Sequence, residues 1–106
     1  MPKDNYAVEI MALAEADLEG IYDYYFEVSQ EREIAEKVTG QLKKAILGLD
    51  FMPASHPMAR DTRLRMEGIR NLIVWEYVIL FLIDENNKTV SVVRVFHGKM
   101  DYQKYL

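Results

Sequence analysis

The run Val78-Ile79-Leu80-Phe81-Leu82-Ile83 constrains this chain more than any other segment. As a strand it sends Val78, Leu80 and Leu82 to one face and Ile79, Phe81 and Ile83 to the other, because successive side chains alternate. Both faces are apolar, so both need cover. Two helices can cover only one of them. The other must be covered by a loop, by the C-terminal tail or by a partner chain, a second copy of this one included.

The two helices come from a change of period. Residues 5–11 alternate weakly, with Tyr6, Val8 and Ile10 on one side, and read as a strand. From Ala14 the spacing becomes helical: Ala14, Leu18, Ile21, Tyr22 and Tyr25 share a face. Glu15, Asp17, Glu19 and Asp23 fall mostly on the other face or in the first turns, where the helix dipole favours acids. Ser29 is the expected N-cap of a second helix, whose stripe is Ile34, Ala35, Val38, Leu42, Ala45, Ile46 and Leu49. The short break implies an antiparallel helical hairpin, which Pro53 and Pro57 are expected to end. Residues 54–65 read as irregular and become basic toward Arg60, Arg63 and Arg65.

Three strand-like runs follow, at about 69–75, 77–84 and 89–97, with Gly68 as the turn residue opening the first. Glu85-Asn86-Asn87-Lys88 reads as a hairpin turn, since asparagine tolerates positive φ. The expected architecture is α+β, in one domain over residues 1–106. An N-terminal strand and an antiparallel helical hairpin precede a three-stranded antiparallel meander, all in one sheet with the helices on one face.

Composition limits the chemistry. With no cysteine among 106 residues there can be no disulfide and no thiolate nucleophile, which suits a reducing cytoplasm. No signal-peptide-like run opens the chain, and the longest apolar run is far too short to span a membrane. The net charge of −4 is uneven: residues 1–50 hold eleven acids against five bases, and the remainder six against eight. An acidic first half opposes a phosphate backbone, whereas the second half can meet an anionic partner.

No phosphate-cradling glycine loop, nucleophile elbow or metal-ligand spacing is present, so no cofactor or metal is expected. The residues left to carry chemistry are Arg70, Arg94, His97, Lys99 and Tyr102. Arg70 opens one strand, while Arg94 and His97 lie near the end of another, and strand ends of an antiparallel sheet can converge at one rim. Arginines there could clamp a phosphate and His97 could transfer a proton. Equally, Arg94 could be structural and paired with an acid, Asp101 being the obvious candidate.

The segment Met66-Glu-Gly-Ile-Arg70 through Tyr77-Val-Ile-Leu-Phe-Leu-Ile-Asp84 resembles the paired strands of the RelE/ParE toxins of bacterial type II toxin–antitoxin, or plasmid stabilisation, modules. Thr89 to Tyr102 is similar to that family's closing segment, and Ala14 to Tyr25 to its first helix. The resemblance implies a toxin neutralised by a cognate antitoxin, an extended segment of which wraps it. It implies one of two actions: inhibition of DNA gyrase in the ParE branch, or metal-free cleavage of mRNA on the ribosome in the RelE branch. In the nuclease branch an arginine follows the tyrosine matched by Tyr77, where this chain has Val78. Basic residues of the preceding strand fall at Ile69 and Asn71. The expectation is therefore the ParE side, with Arg70, Arg94, Lys99 and Tyr102 contacting the target or a phosphate. His97 is the catalytic residue only if the chain is a nuclease. A non-toxic relative kept as a binding module is the third reading.

Overall fold

The structure, a computed structural model, describes residues 5–99. Strand β1 (Ala7–Ile10) leads into helices α1 (Ala12–Ser29) and α2 (Arg32–Leu47); a short helix α3 (Thr62–Met66) then precedes β2 (Arg70–Val74), β3 (Tyr77–Asp84) and β4 (Thr89–His97). The strands form one sheet in the order β1-β4-β3-β2. The meander pairs antiparallel as expected, and β1 joins its far edge parallel to β4. Among the described residues no helix is long and apolar enough to cross a membrane.

Each face of β3 has its own core. Ile79 and Phe81 pack with Ala14, Leu18, Leu42 and Ile46 beneath the helices. Val78 and Leu80 pack on the opposite face with Ala59, Leu64, Ile69 and Phe96. The second cover is thus the chain's own segment between α2 and β2. Several contacts hold it down: Asn71 N–H donates to Pro57 O at 3.0 Å, Ala59 N–H donates to Ile69 O at 2.9 Å, and Arg70 Nη1 donates to His56 O at 2.7 Å and Ala54 O at 3.3 Å. Gly68 turns into β2 at φ 85°, as its position suggested.

A β-bulge explains how β4 serves both cores. Leu80 pairs with Arg94 and Phe81 with Val92, leaving Val93 as the extra residue. Alternation resets there. Val90, Val92 and Val95 all reach the helix-side core, and Phe96 reaches the other.

Four local expectations are corrected. Ser29 ends α1, and the N-cap position of α2 belongs to Glu31; the Ser29 hydroxyl accepts the Glu31 N–H at 3.1 Å, while left-handed Gln30 (φ 60°) donates its N–H to Phe26 O. Helix α2 stops at Leu47 and tightens into a 3₁₀ turn over Gly48–Asp50, well before either proline. The stretch read as irregular contains α3, where the Asp61 carboxylate accepts the Leu64 N–H at 3.0 Å; five residues are too few to show a period. In the β3–β4 turn the positive φ falls on Lys88 (50°), not on an asparagine. Asn87 instead donates through its backbone and its amide to Asp84, holding that carboxyl below its ordinary pKa.

Candidate functional site

The tip of the β2–β3 hairpin and the end of β4 form one rim, since Val74 pairs with Tyr77 and Tyr77 with His97. The connection is only Trp75-Glu76, and Trp75 sits at φ 55°. Left-handed backbone costs a bulky L-residue about 1–2 kcal/mol. Despite that cost the indole faces solvent, 59% exposed. Next to it Gly98 N–H donates to Glu76 O at 2.6 Å, and a Cβ at position 98 would lie 3.1 Å from that oxygen. Glycine is what lets β4 close on the hairpin tip.

His97 stands edge-on to Tyr77, with ring centroids 5.4 Å apart. Its Nδ1 accepts the Lys99 N–H at 3.1 Å, so the neutral imidazole carries its proton on Nε2. Nε2 lies 3.5 Å from the Glu76 carboxylate. On the helix side, the Tyr77 hydroxyl is 3.4 Å from that of Tyr25. Burial, with Tyr25 adding to it, pushes the Tyr77 phenol well above its usual range, so it stays neutral at physiological pH.

On the face away from the helices the rim opens into a groove of about 330 Å³, whose lining includes Arg60, Asn71, Ile73, Trp75, His97 and Lys99. Ile73 is 60% exposed here, so the cover that the segment between α2 and β2 gives this face stops short of the rim among the described residues. Asn71 is only 7% exposed, yet among the described residues its Oδ1 has no hydrogen-bond partner. An unmatched buried acceptor costs about 1–3 kcal/mol, and a donor brought by a bound partner would recover it. The groove thus combines an exposed indole, an apolar floor, an unmatched acceptor and two cations. That chemistry suits a protein or nucleic-acid partner with a planar or apolar element and hydrogen-bond donors.

The structure separates the residues singled out from the sequence. His97 and Lys99 share the groove. Arg70 does not: it pairs with Phe81, four residues along β3 from Tyr77, or about 13 Å at strand spacing. Strands two apart in an antiparallel sheet run the same way, so the end of β2, not its start, meets the end of β4. Arg70 is instead a tie, spent on the carbonyls of Ala54 and His56. Arg94 is also occupied. Its Nε and Nη2 donate to the Asp17 carboxylate at 2.8 and 2.9 Å, and its guanidinium lies 4.4 Å from the Phe96 ring centre. The hydrogen bonds it donates to Asp17 raise the Arg94 pKa above its ordinary value. The acid proposed for that role, Asp101, lies outside the described residues, as does Tyr102; the partner found is Asp17.

Sequence reasoning missed Asn71 and Trp75 as site residues, and Asp17 as a structural one. Asn71 was visible as an amide inside an apolar strand, and Asp17 as an acid between Ala14, Leu18 and Ile21 on the inward stripe. Nothing in the sequence marked Trp75 as a strained tip. Among the described residues no group of three potential ligands could hold a metal ion.

Comparison with known proteins agrees with this fold. A sequence model described as "ParE toxin of type II toxin-antitoxin system, parDE" matches residues 8–102. The structure is similar to one from the chromosomal ParDE toxin–antitoxin system of P. aeruginosa, with TM-score 0.74 and 20% identity, covering 92% of this chain and all of that one. It is also similar to one from the RelBE2 toxin–antitoxin complex of Mycobacterium tuberculosis, with TM-score 0.65 and 19% identity, covering 88% and 98% of the two chains. No curated protein sequence matches. At these identities the structural likenesses speak for the fold, and the family match over residues 8–102 speaks for the lineage: this chain belongs to the ParE toxins of type II toxin–antitoxin systems.

Proposed function

We propose that this toxin arrests cells by binding DNA gyrase through the rim that carries Trp75, His97 and Lys99, and that a cognate antitoxin neutralises it. The observation carrying this reading is the engagement of both candidate arginines: Arg70 is held by backbone carbonyls and Arg94 by Asp17. A metal-free nuclease must offset the charge of a phosphorane with cations. Here, among the described residues, Arg60 and Lys99 are the cations that line the groove beside His97, and Val78 stands where the nuclease branch has an arginine. An exposed tryptophan held in a costly backbone conformation beside exposed Ile73 is instead the anatomy of a protein-binding hot spot.

Expression of the chain without its antitoxin tests the toxin reading, and normal growth refutes it. Purified protein in a gyrase supercoiling assay tests the target. Undiminished supercoiling at a large molar excess of the chain rejects gyrase.

The His97 geometry supports a second reading, ribosome-dependent mRNA cleavage with His97 as acid or base. Primer extension after induction would then show cuts at the ribosomal A site that vanish in His97→Ala. Full toxicity of His97→Ala, or uncut transcripts, rejects this reading.

A further inference from the structure

The outer edge of β2 is covered over only part of its length. Residues 57–59 run beside it: Ala59 N–H donates to Ile69 O, Met58 faces Arg70, and Asn71 N–H donates to Pro57 O. Backbone groups alternate along a strand, so Ile69, Asn71 and Ile73 point theirs outward while Arg70, Leu72 and Val74 bond to β3. The cover then stops. Pro57 has no N–H to return to the Asn71 carbonyl, and the chain before it is held elsewhere, by Arg70 on the carbonyls of Ala54 and His56. Among the described residues, the Asn71 C=O and both the N–H and C=O of Ile73 therefore have no ladder partner.

An open apolar edge is a hazard that folds ordinarily blunt. The opposite edge of this sheet is blunted: Glu9 puts an exposed charge on β1, and Asp50 O accepts the Tyr6 N–H at 2.8 Å. On β2 the stretch Asn71-Leu72-Ile73-Val74 carries neither charge nor proline, and Ile73 stands exposed. This edge borders the groove beside Trp75, whose lining also holds Arg60, Lys99 and the unmatched Asn71 amide. Among the described residues neither cation has a carboxylate partner, and Glu76, the acid of that lining, faces His97 Nε2 instead. The features together describe the occupant. It is a peptide, since a nucleic-acid strand has no amide ladder to offer Ile73. It is extended, and its charge is opposite to that of Arg60 and Lys99.

We propose that β2 receives the target as a fifth strand: an extended, acidic segment of gyrase pairs with the backbone of Asn71 and Ile73, rests apolar side chains on Ile73 and Trp75, and turns its carboxylates to Arg60 and Lys99. This rests on the gyrase-binding reading above and specifies what the rim recognises. Main-chain bonds supply affinity whatever the guest's sequence, while the cations and the apolar floor select it.

The test titrates the full-length chain against DNA gyrase holoenzyme and follows amide hydrogen exchange by mass spectrometry. Within β2 only the Ile73 amide lacks a partner among the described residues, so the peptide spanning residues 70–75 should gain one protected amide on binding. Ile73→Pro deletes that donor at a position where an edge strand tolerates proline, and should weaken binding about 30-fold. Ile73→Ala trims the side chain but keeps the N–H, and should lose at least about fivefold less. Arg60→Glu combined with Lys99→Glu should weaken binding tenfold or more at low salt. Unchanged exchange over residues 70–75 in gyrase-bound chain overturns the assignment, and it decides alone if Ile73→Pro melts early. A loss in Ile73→Ala equal to that in Ile73→Pro also overturns it, because side chains alone then carry the contact. Full binding by the charge-reversed chain does so by removing the acidic partner. Slow exchange of the Ile73 amide without gyrase overturns it as well: the chain then covers its own edge, or a second copy does where protection grows with concentration. Protection conferred by a single-stranded RNA oligonucleotide but not by gyrase makes the occupant a nucleic acid. Failure of the wild-type chain to bind gyrase at all is the separate failure of the functional reading, and takes this assignment with it.

Discussion

Replacing Asp17 by alanine removes the acceptor of three hydrogen bonds at once, from Arg94 Nε, Arg94 Nη2 and Val95 N–H. Both side chains of the ion pair are only 15% exposed, so the guanidinium left behind cannot fully rehydrate without disturbing the β4 edge. Breaking a buried pair on one side costs about 3–5 kcal/mol; discounting for the residual exposure gives roughly 3 kcal/mol for Asp17→Ala. For a chain of this size that lowers the melting temperature by about 15 °C. Urea unfolding measures it as a fall in midpoint at unchanged slope. Arg94→Met should cost less, about 1–2 kcal/mol, because Asp17 keeps the Val95 N–H and a path to water. Asp17→Leu combined with Arg94→Met should be more stable than Asp17→Ala alone, since no unpaired charge remains. The pair's contribution should also be flat across the working pH range as far as Arg94 decides it. A raised guanidinium pKa means stability that is complete below its ordinary value and lost only at still higher pH. A loss below about 1 kcal/mol in Asp17→Ala would refute the reasoning and reduce the pair to a surface contact.

Trp75→Asn should relieve the left-handed backbone and hold or raise stability by up to about 1 kcal/mol, while weakening target inhibition tenfold or more; unchanged gyrase inhibition would remove Trp75 from the interface. Asn71→Leu should be neutral or stabilising by about 1 kcal/mol in denaturant, because it replaces an unmatched buried acceptor, and should reduce toxicity in a growth assay if that acceptor meets the target. Tyr77 contributes stability that is complete below pH 10.0 and lost as pH rises beyond it, because burial raises its folded-state pKa above the unfolded value. Tyr77→Phe should therefore show a shallower alkaline decline in melting temperature than wild type, and an equal decline would contradict the buried, neutral phenol.

The apolar pattern was legible because it depends on local periods. Ala14, Leu18 and Ile21 mark a helix face, and Val78 to Ile83 mark a strand that needs cover on two sides. The rim was only partly legible: His97 and Lys99 line one groove, whereas Arg70, expected to converge on the same rim, belongs to the other end of β3. Direction of travel, not residue type, decides which strand ends meet, and that requires the pairing register. The bulge at Val93 was equally hidden, since Val90, Val92 and Val95 share a core only once one residue is looped out of the ladder.

The sequence by itself determined the α+β class, the helical hairpin, the meander and the toxin lineage, because each rests on spacing or on residues adjacent in the chain. Only the tertiary structure decided what Arg94 does. The residue that answers it is Asp17, 77 positions earlier, brought within 2.8 Å by the packing of α1 on β4. A buried guanidinium needs a partner whatever the fold. Which acid supplies it depends on long-range packing, and that packing also determined which cations remain to meet a target.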